Sequence, residues 1–266
     1  MSQDLLEHIE GGIATLTMNR PEARNAMTRS MLIDLEHSLA RLAADRSVRL
    51  VVLTGTGDAF CAGGDVKGFA KSAADGADSL SFEERTQGLR MIMESARWLH
   101  EMPKPTLAVI PGPAAGAGLS LALACDMRIA SSNAKFTTAF SKIGLSGDFG
   151  GSYFLNYLVG AAKAREMYFT AQVVQSEEAL RIGLVNRVLA PEQLAQAAQA
   201  WASELAALPT VAVGYMKQNL NTALRGSLGD VLDFEAPNMI RTFETQDHKG
   251  AAQAFVEKRP PQFKGC

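Results

Sequence analysis

Thr106-Leu107-Ala108-Val109-Ile110-Pro111-Gly112-Pro113-Ala114-Ala115-Gly116-Ala117-Gly118-Leu119-Ser120-Leu121-Ala122-Leu123-Ala124-Cys125-Asp126-Met127-Arg128-Ile129-Ala130 is the stretch that decides the architecture. Residues 106–110 form an unbroken apolar run, the look of a strand buried on both faces. A turn of Gly, Pro and Ala follows, then a helix-like apolar run to Cys125, then a second strand from Met127. Working outward, Leu50-Val51-Val52-Leu53-Thr54-Gly55 repeats the buried-strand look, and Ile13-Ala14-Thr15-Leu16-Thr17-Met18 stops at the turn Asn19-Arg20-Pro21. Leu32, Leu35, Leu39 and Leu42 predict a helix over residues 28–44, and Leu89, Ile92, Met93, Ala96 and Leu99 predict another over 82–100. Strand then helix, several times over, means an α/β protein. Beyond about Pro191 the pattern is helical only, with one face of Leu194, Ala198, Trp201, Leu205 and Leu208 and further helices over 211–224 and 228–243.

Two of the turns carry the chemistry. Ala59-Phe60-Cys61-Ala62-Gly63-Gly64-Asp65 and Gly112-Pro113-Ala114-Ala115-Gly116-Ala117-Gly118 are built of small residues, and each runs into an apolar, helix-like segment. Without side chains in the way, backbone N–H groups can approach a ligand closely. Two such turns can aim two donors at one oxygen, the geometry of an oxyanion hole suited to a thioester carbonyl becoming an enolate.

With 266 residues, 47% hydrophobic and 20% charged, the chain suits one large globular domain, alone or with a smaller appendage. No stretch approaches the roughly 20 apolar residues of a membrane span, and no secretory signal is visible at the start. A net charge of −2 and a pI near 6.1 give no electrostatic reason to expect nucleic acid or an anionic membrane. Cys61, Cys125 and Cys266 are odd in number and lack metal-ligand spacing, which predicts no disulfide framework, no metal site and a reducing, cytoplasmic compartment. The segment over residues 70–79, rich in Ala, Ser, Asp and Gly, is expected to be mobile. His8, His37 and His100 are expected at the surface.

Taken in order, Asn19-Arg20-Pro21 through Asn25-Ala26, Phe60 through Asp65, the second glycine-rich turn through Cys125-Asp126, Ala179 to Gly183-Leu184-Val185, and Ala254-Phe255-Val256-Glu257-Lys258-Arg259-Pro260 resemble the crotonase (enoyl-CoA hydratase/isomerase) superfamily along essentially the whole chain. The resemblance implies a crotonase-type spiral of ββα units over residues 1–200 and a helical C-terminal trimerisation region over 201–266. It also implies a homotrimer or a hexamer built as a dimer of trimers. The substrate would be an acyl-coenzyme A thioester, with no permanently bound cofactor. By position the oxyanion-hole N–H groups belong to Gly64 and Ala117, where the family often has glycine at the second. Coenzyme A would lie near Arg24, Asn25 and Ala26 and along Ala62, Gly63, Asp65, Val66 and Lys67, with Phe263 and Lys264 contributed by a neighbouring subunit. Arg24 reads equally well as a solvated surface arginine, and Asp65 as the cap of a following helix.

Hydratases of this family hold a water between two glutamates. Their positions carry Ser120 and Phe140 here, both expected to line the acyl pocket. Serine without a partner is no base near neutral pH, and phenylalanine moves no proton. One carboxylate remains, Asp148 in Gly144-Leu145-Ser146-Gly147-Asp148-Phe149-Gly150-Gly151. It is similar in place to the acid of certain enoyl-CoA isomerases and of the epoxide-opening phenylacetyl-CoA isomerases. A dehalogenase branch keeps a nucleophilic aspartate there too, but its further aromatic and Trp features are missing from this sequence. Between glycines and Phe149, a carboxylate in a dry pocket gains basicity. A loop-capping aspartate is the competing reading.

Gly118-Leu119-Ser120-Leu121-Ala122 half resembles a nucleophile elbow, but the final glycine is missing and only His248 follows as a base. The leading expectation is an isomerase with Asp148 as acid/base. A hydratase with another group completing its proton relay stays open, as do a non-catalytic acyl-CoA binder and an RNA binder. The acidic pI speaks against the last.

Overall fold

The computed structural model describes residues 3–65 and 80–266. Six strands make the main sheet: β1 (Leu5–Glu10), β2 (Ile13–Met18), β3 (Leu50–Gly55), β4 (Thr106–Ile110), β6 (Met127–Ser131) and β9 (Arg187–Leu189). They lie in the order β1-β2-β3-β4-β6-β9. Only β1 runs antiparallel to its neighbour, and the register pairs Ile13 with Leu50, Val51 with Thr106 and Leu107 with Met127. A smaller sheet joins β5 (Ala114–Ala115), β7 (Lys135–Thr137) and β8 (Val174–Gln175).

Helices cover both faces of the main sheet, which is why β3 and β4 read as continuous apolar runs. On one face α1 (Arg29–Ala44), α3 (Glu94–Glu101) and α4 (Ala117–Ala124) pack over Leu16, Val51, Leu53, Ala108 and Ile110. On the other, a long helix, Pro191–Ala206, lays Leu194, Ala198 and Trp201 against Ile13, Leu50, Val52, Leu107 and Ile129. Trp201 is a core residue, with the Arg187 guanidinium 3.8 Å from its ring centroid.

The helix expected over 28–44 forms with Thr28 as its N-cap, the hydroxyl accepting from Met31 N at 3.2 Å. The single helix expected over 82–100 is instead two, α2 (Phe82–Ile92) and α3, meeting at Met93. The Ser95 hydroxyl donates to the Ile92 carbonyl at 2.8 Å there, a back-bond that competes with the helical ladder and bends it. After α4 come α5 (Gly151–Thr170), α6 (Ser176–Arg181), α7 (the Pro191–Ala206 helix), α8 (Thr210–Ala223), α9 (Leu228–Phe243) and α10 (Gln246–Val256). Strands β1 and β9, the small sheet and helices α5, α6 and α10 have no counterpart in the pattern-based reading. The segment over residues 70–79 lies outside the described residues. No helix of the described residues is long and apolar enough to cross a membrane.

Because β2, β3 and β4 are parallel neighbours, the segments leaving them emerge at one edge of the sheet. This is where ligands bind in open α/β sheets. The segments are held face to face without side chains at the closest points. A Cβ on Gly112 would lie 1.8 Å from the Asp58 carbonyl oxygen and one on Gly55 2.2 Å from that of Phe60. Gly112→Ala is therefore expected to lower stability by about 2 kcal/mol or more, since both colliding atoms are backbone or rigidly attached to it. Thermal and urea denaturation of the variant would measure this loss.

Candidate active site

The two small-residue turns run side by side as extended chain. Cys61 and Ala114 form a parallel bridge, with Cys61 N donating to Pro113 O at 3.2 Å and Ala115 N to Cys61 O at 2.9 Å. On the outer side of the first turn, Met27 N donates to Gly63 O at 2.8 Å and Asp65 N to Met27 O at 3.3 Å. That pairing turns the Gly64 N–H away from Met27. In the second turn Gly116 takes φ 51° and donates to Thr137 O at 3.0 Å, so Ala117 N–H is the first orphan donor of α4. Among the described residues neither Gly64 N–H nor Ala117 N–H has a hydrogen-bond partner. The turns touch closely, for a Cβ on Gly63 would stand 3.6 Å from Ala117 N, and one on Gly118 would stand 2.6 Å from the Cys61 Cβ.

Asn25 fastens this arrangement. It is fully buried in the left-handed region (φ 56°), and its side chain accepts from Arg20 N and donates to Thr56 O and Ala59 O at 2.9–3.0 Å. Its side chain is thus occupied in the scaffold. Arg24 is exposed, also left-handed (φ 50°), and its carbonyl accepts from Ala62 N. Ala26 is buried, Ala62 exposed, and Asp65 forms an ion pair with Arg20 at 3.4 Å. Val66 and Lys67 lie outside the described residues. Cys61 donates its thiol to Asn25 O at 3.1 Å, and burial pushes that thiol up to about 12.

Phe263 and Lys264 are elsewhere. Arg49, just before β3, donates to Phe263 O at 3.0 Å, while Lys264 N donates to the Asp247 carboxylate at 2.6 Å. Arg49 precedes the first residue of β3, whereas the Gly64 turn follows its last. Within one chain these two residues are therefore at the opposite edge of the sheet.

Asp148 sits in a turn of unusual backbone. Gly147, Phe149 and Gly150 take φ 105°, 49° and 72°, and buried Phe149 in the left-handed region is a strained choice for a bulky residue. Gly150 is the N-cap of α5, and no side chain caps it. The capping reading of Asp148 therefore fails. Its Oδ1 is buried with no hydrogen-bond partner among the described residues, and desolvation pushes its carboxyl up to about 6.

Phe140 and Ser120 complete the neighbourhood. Phe140 is buried, its ring within 3.7 Å of where a Cβ would stand on Gly116 and within 3.5 Å of one on Gly147. It thus spans the second turn and the Asp148 loop. Ser120 is buried and donates to Gly116 O at 3.3 Å, an ordinary helix back-bond. His248 lies in α10 with its ring against Phe243 (4.7 Å between centroids) and is exposed. Tyr168, which the sequence reading passed over, stacks on Phe140 at 6.1 Å and 17°. Nothing in its sequence context marks it, for it is one of five aromatic residues in the helix Gly151–Thr170 and stands beside the exposed Phe169. His100 corrects another expectation: it is half-buried, its Nε2 has no hydrogen-bond partner among the described residues, its ring meets those of Phe154 and Tyr153 edge-on, and burial holds its pKa below the usual histidine value. Among the described residues no group of His, Cys, Asp and Glu could hold a metal ion.

A sequence profile described as enoyl-CoA hydratase/isomerase matches residues 8–266. The chain belongs to that family. It is 36% identical over 265 residues to the 1,2-epoxyphenylacetyl-CoA isomerase of Escherichia coli, covering all of both chains. It is also 36% identical over 251 residues to a short-chain-enoyl-CoA hydratase of Clostridium acetobutylicum, covering 94% of this chain and 93% of the other. An enoyl-CoA hydratase crystal structure from Polaromonas superposes with a TM-score of 0.90 at 31% identity, covering 98% of this chain and 99% of that one. This member of the enoyl-CoA hydratase/isomerase family is thus an enzyme with the crotonase fold.

The Asp148 environment has a measurable signature. A carboxyl raised in the folded state favours folding fully below its unfolded value, and that contribution disappears as pH rises through the folded value of about 6. Asp148→Asn is therefore expected to be more stable than the parent at pH 7.5, by on the order of 2 kcal/mol, with the difference vanishing near pH 4. Urea denaturation of both proteins at the two pH values would show it.

Proposed function

We propose that this enzyme isomerises an acyl-CoA thioester by moving a proton along the acyl chain. Gly64 N–H and Ala117 N–H receive the thioester oxygen. The Asp148 carboxylate removes a proton from the chain, breaking a C–H bond whose electron pair flows into the thioester as an enolate or dienolate. The two N–H donors stabilise the negative oxygen without having to reorganise. Asp148, now a carboxylic acid, returns the proton two carbons away. Atoms and charge balance with no water and no second acid.

The observation that carries this reading is the unpartnered, desolvated carboxylate of Asp148 beside Phe140, at a site whose two usual glutamate positions hold Ser120 and Phe140. A general base with a pKa of about 6 is matched to work near neutral pH. The second reading, hydration of a 2-enoyl-CoA, draws support from the Clostridium relative, which is as similar as the Escherichia isomerase. Coenzyme A would run past the exposed Arg24 and along the chain from Ala62 to Asp65, Val66 and Lys67, with Phe263 and Lys264 reaching a neighbour's site.

That last role requires an oligomer, and we infer a trimer or a dimer of trimers, with residues 201–266 as the associating region. Exposed Met216, Leu220, Leu228, Leu232, Met239 and Ile240 on α8 and α9 support this, being too many apolar side chains for a solvent face. Sedimentation equilibrium should give three or six copies; a monomer at micromolar concentration would sink the assembly.

The test of the reaction is deuterium exchange. The parent should exchange acyl-chain protons of a 3-enoyl-CoA and convert it to the 2-enoyl isomer. Asp148→Asn should lose at least about a hundredfold in both, the usual scale of a general base. The parent's kcat/KM should rise with pH through about 6, because the base works deprotonated. Unchanged rates in Asp148→Asn would remove the assignment.

A further inference from the structure

His100 takes no part in the proton-shift chemistry, yet a short chain of contacts joins its ring to the Asp148 turn. It lies in the last turn of α3, and its ring centroid is 5.1 Å from that of Phe154 and 6.0 Å from that of Tyr153. Phe154 in turn fills the space over Gly150, where an added Cβ would lie 2.8 Å from the Phe154 Cε2. Gly150 is two residues beyond Asp148, and its carbonyl accepts from Tyr153 N and Phe154 N at 2.9 and 3.0 Å. Gly151 N donates to the Asp148 carbonyl at 3.1 Å, which ties the turn to the start of α5. His100, Phe154 and Gly150 thus make a packed column that ends at Asp148. Behind the column stands α8. Asn221 Nδ2 donates to His100 O at 2.8 Å and Lys217 Nζ to Leu99 O at 2.9 Å, so the backbone carrying the ring is fixed. Tyr157 fastens α5 to the same region by donating to Leu224 O at 2.7 Å.

A charge on this ring is poorly met. Protonation makes both ring nitrogens donors, and the buried Nε2 has no acceptor among the described residues. The groups around it are Glu101 on α3, Asp126 after α4, Lys217 on α8, Arg225 after α8, and the phenols of Tyr153 and Tyr157 on α5. Both carboxylates are already engaged, Asp126 by Lys217 at 2.8 Å and Glu101 by Arg97 at 2.8 Å and Arg225 at 3.7 Å. Burial first, and the Lys217 charge after it, hold the imidazole neutral, with Asp126 and Glu101 opposing them only in part. Resting on the reading of Asp148 as the base, we infer that His100 is a positioning residue for it. The neutral ring presses Phe154 onto Gly150 and so holds the turn that aims Asp148. Protonation drives the ring out of its aromatic box and slackens that turn. Activity is then lost in acid for two reasons, a proton on Asp148 and a proton on a residue that never touches the substrate.

Two variants separate the ring from its proton. His100→Phe keeps an aromatic edge against Phe154 and cannot be charged, whereas His100→Ala removes the first member of the column. At about pH 8, with histidine neutral, His100→Ala should lose about tenfold or more in kcat on a 3-enoyl-CoA while KM stays within about twofold. That split marks a displaced base rather than lost binding, and His100→Phe should bring kcat back to within about threefold of the parent. Below about pH 6 the log kcat/KM of the parent should fall with a slope approaching about two, and that of His100→Phe with a slope of about one. Amide exchange over residues 150–157, corrected for its intrinsic pH dependence, should quicken about tenfold or more from about pH 8 to pH 5 in the parent and not in His100→Phe. An acid slope of about one in both proteins, or undiminished kcat in a folded His100→Ala, would overturn the positioning role. Should His100→Ala not fold, the slopes and the amide exchange of His100→Phe decide. Asp148→Asn is assayed alongside by deuterium exchange into the acyl chain. Exchange surviving in it removes the base itself, whereas an inactive Asp148→Asn beside unaffected His100 variants removes the positioning role alone.

Discussion

The backbone pairing of Cys61 with Ala114 sets the spacing between two turns that leave neighbouring parallel strands, and the remaining features of the site take their positions from it. Once those two chains are hydrogen-bonded, Gly63 lies against Ala117, Gly118 lies against Cys61, and the Gly64 and Ala117 N–H groups are left without partners among the described residues. Each glycine there is a steric demand of that closeness. The pairing is held in turn by the buried Asn25 amide, which ties the segment after β2 to the segment after β3. The same edge therefore depends on three strand-ends meeting, and a slip of any one would separate the donors.

The rest of the frame is held by buried cations at points where backbone carbonyls have lost their helical partners. Lys104 donates to Leu42, Asp45 and Val48 carbonyls at the end of α1, and Arg128 to the Cys125 and Leu184 carbonyls after α4. Lys217, from α8, reaches the Leu99 carbonyl and the Asp126 carboxylate at 2.8–2.9 Å. Such groups satisfy the orphan carbonyls of helix ends where water cannot reach. They also bolt the first C-terminal helix onto the α/β core, so that α8 is positioned by charge and α9 packs on it.

Much of this was legible in the sequence because it is periodic or local. The buried strands at 50–55 and 106–110, the helix after Thr28 and the two glycine-rich turns are each set by residues next to one another in the chain. The resemblance of the motifs in order supplied the family. What was not legible is what depends on approach through space. Tyr168 lies twenty residues beyond Asp148 and meets its turn only because α5 folds back over α4. His100 looked like a surface residue until Tyr153 and Phe154 covered it. The break at Met93 follows from one serine hydroxyl, which a count of apolar positions does not weigh.

Cys61 sits in the middle of the first turn, yet its thiol is buried, bonded to the Asn25 carbonyl and pushed up to about 12. A 2-enoyl thioester is a conjugate acceptor that thiolates add to readily, and only the thiolate is a competent nucleophile. By keeping this sulfur protonated and walled off by the Gly118 backbone, the fold removes a thiolate that would otherwise stand beside an electrophilic acyl group bound at the proposed site. The residue behaves as a small buried spacer with a covalent hazard that the surroundings have switched off.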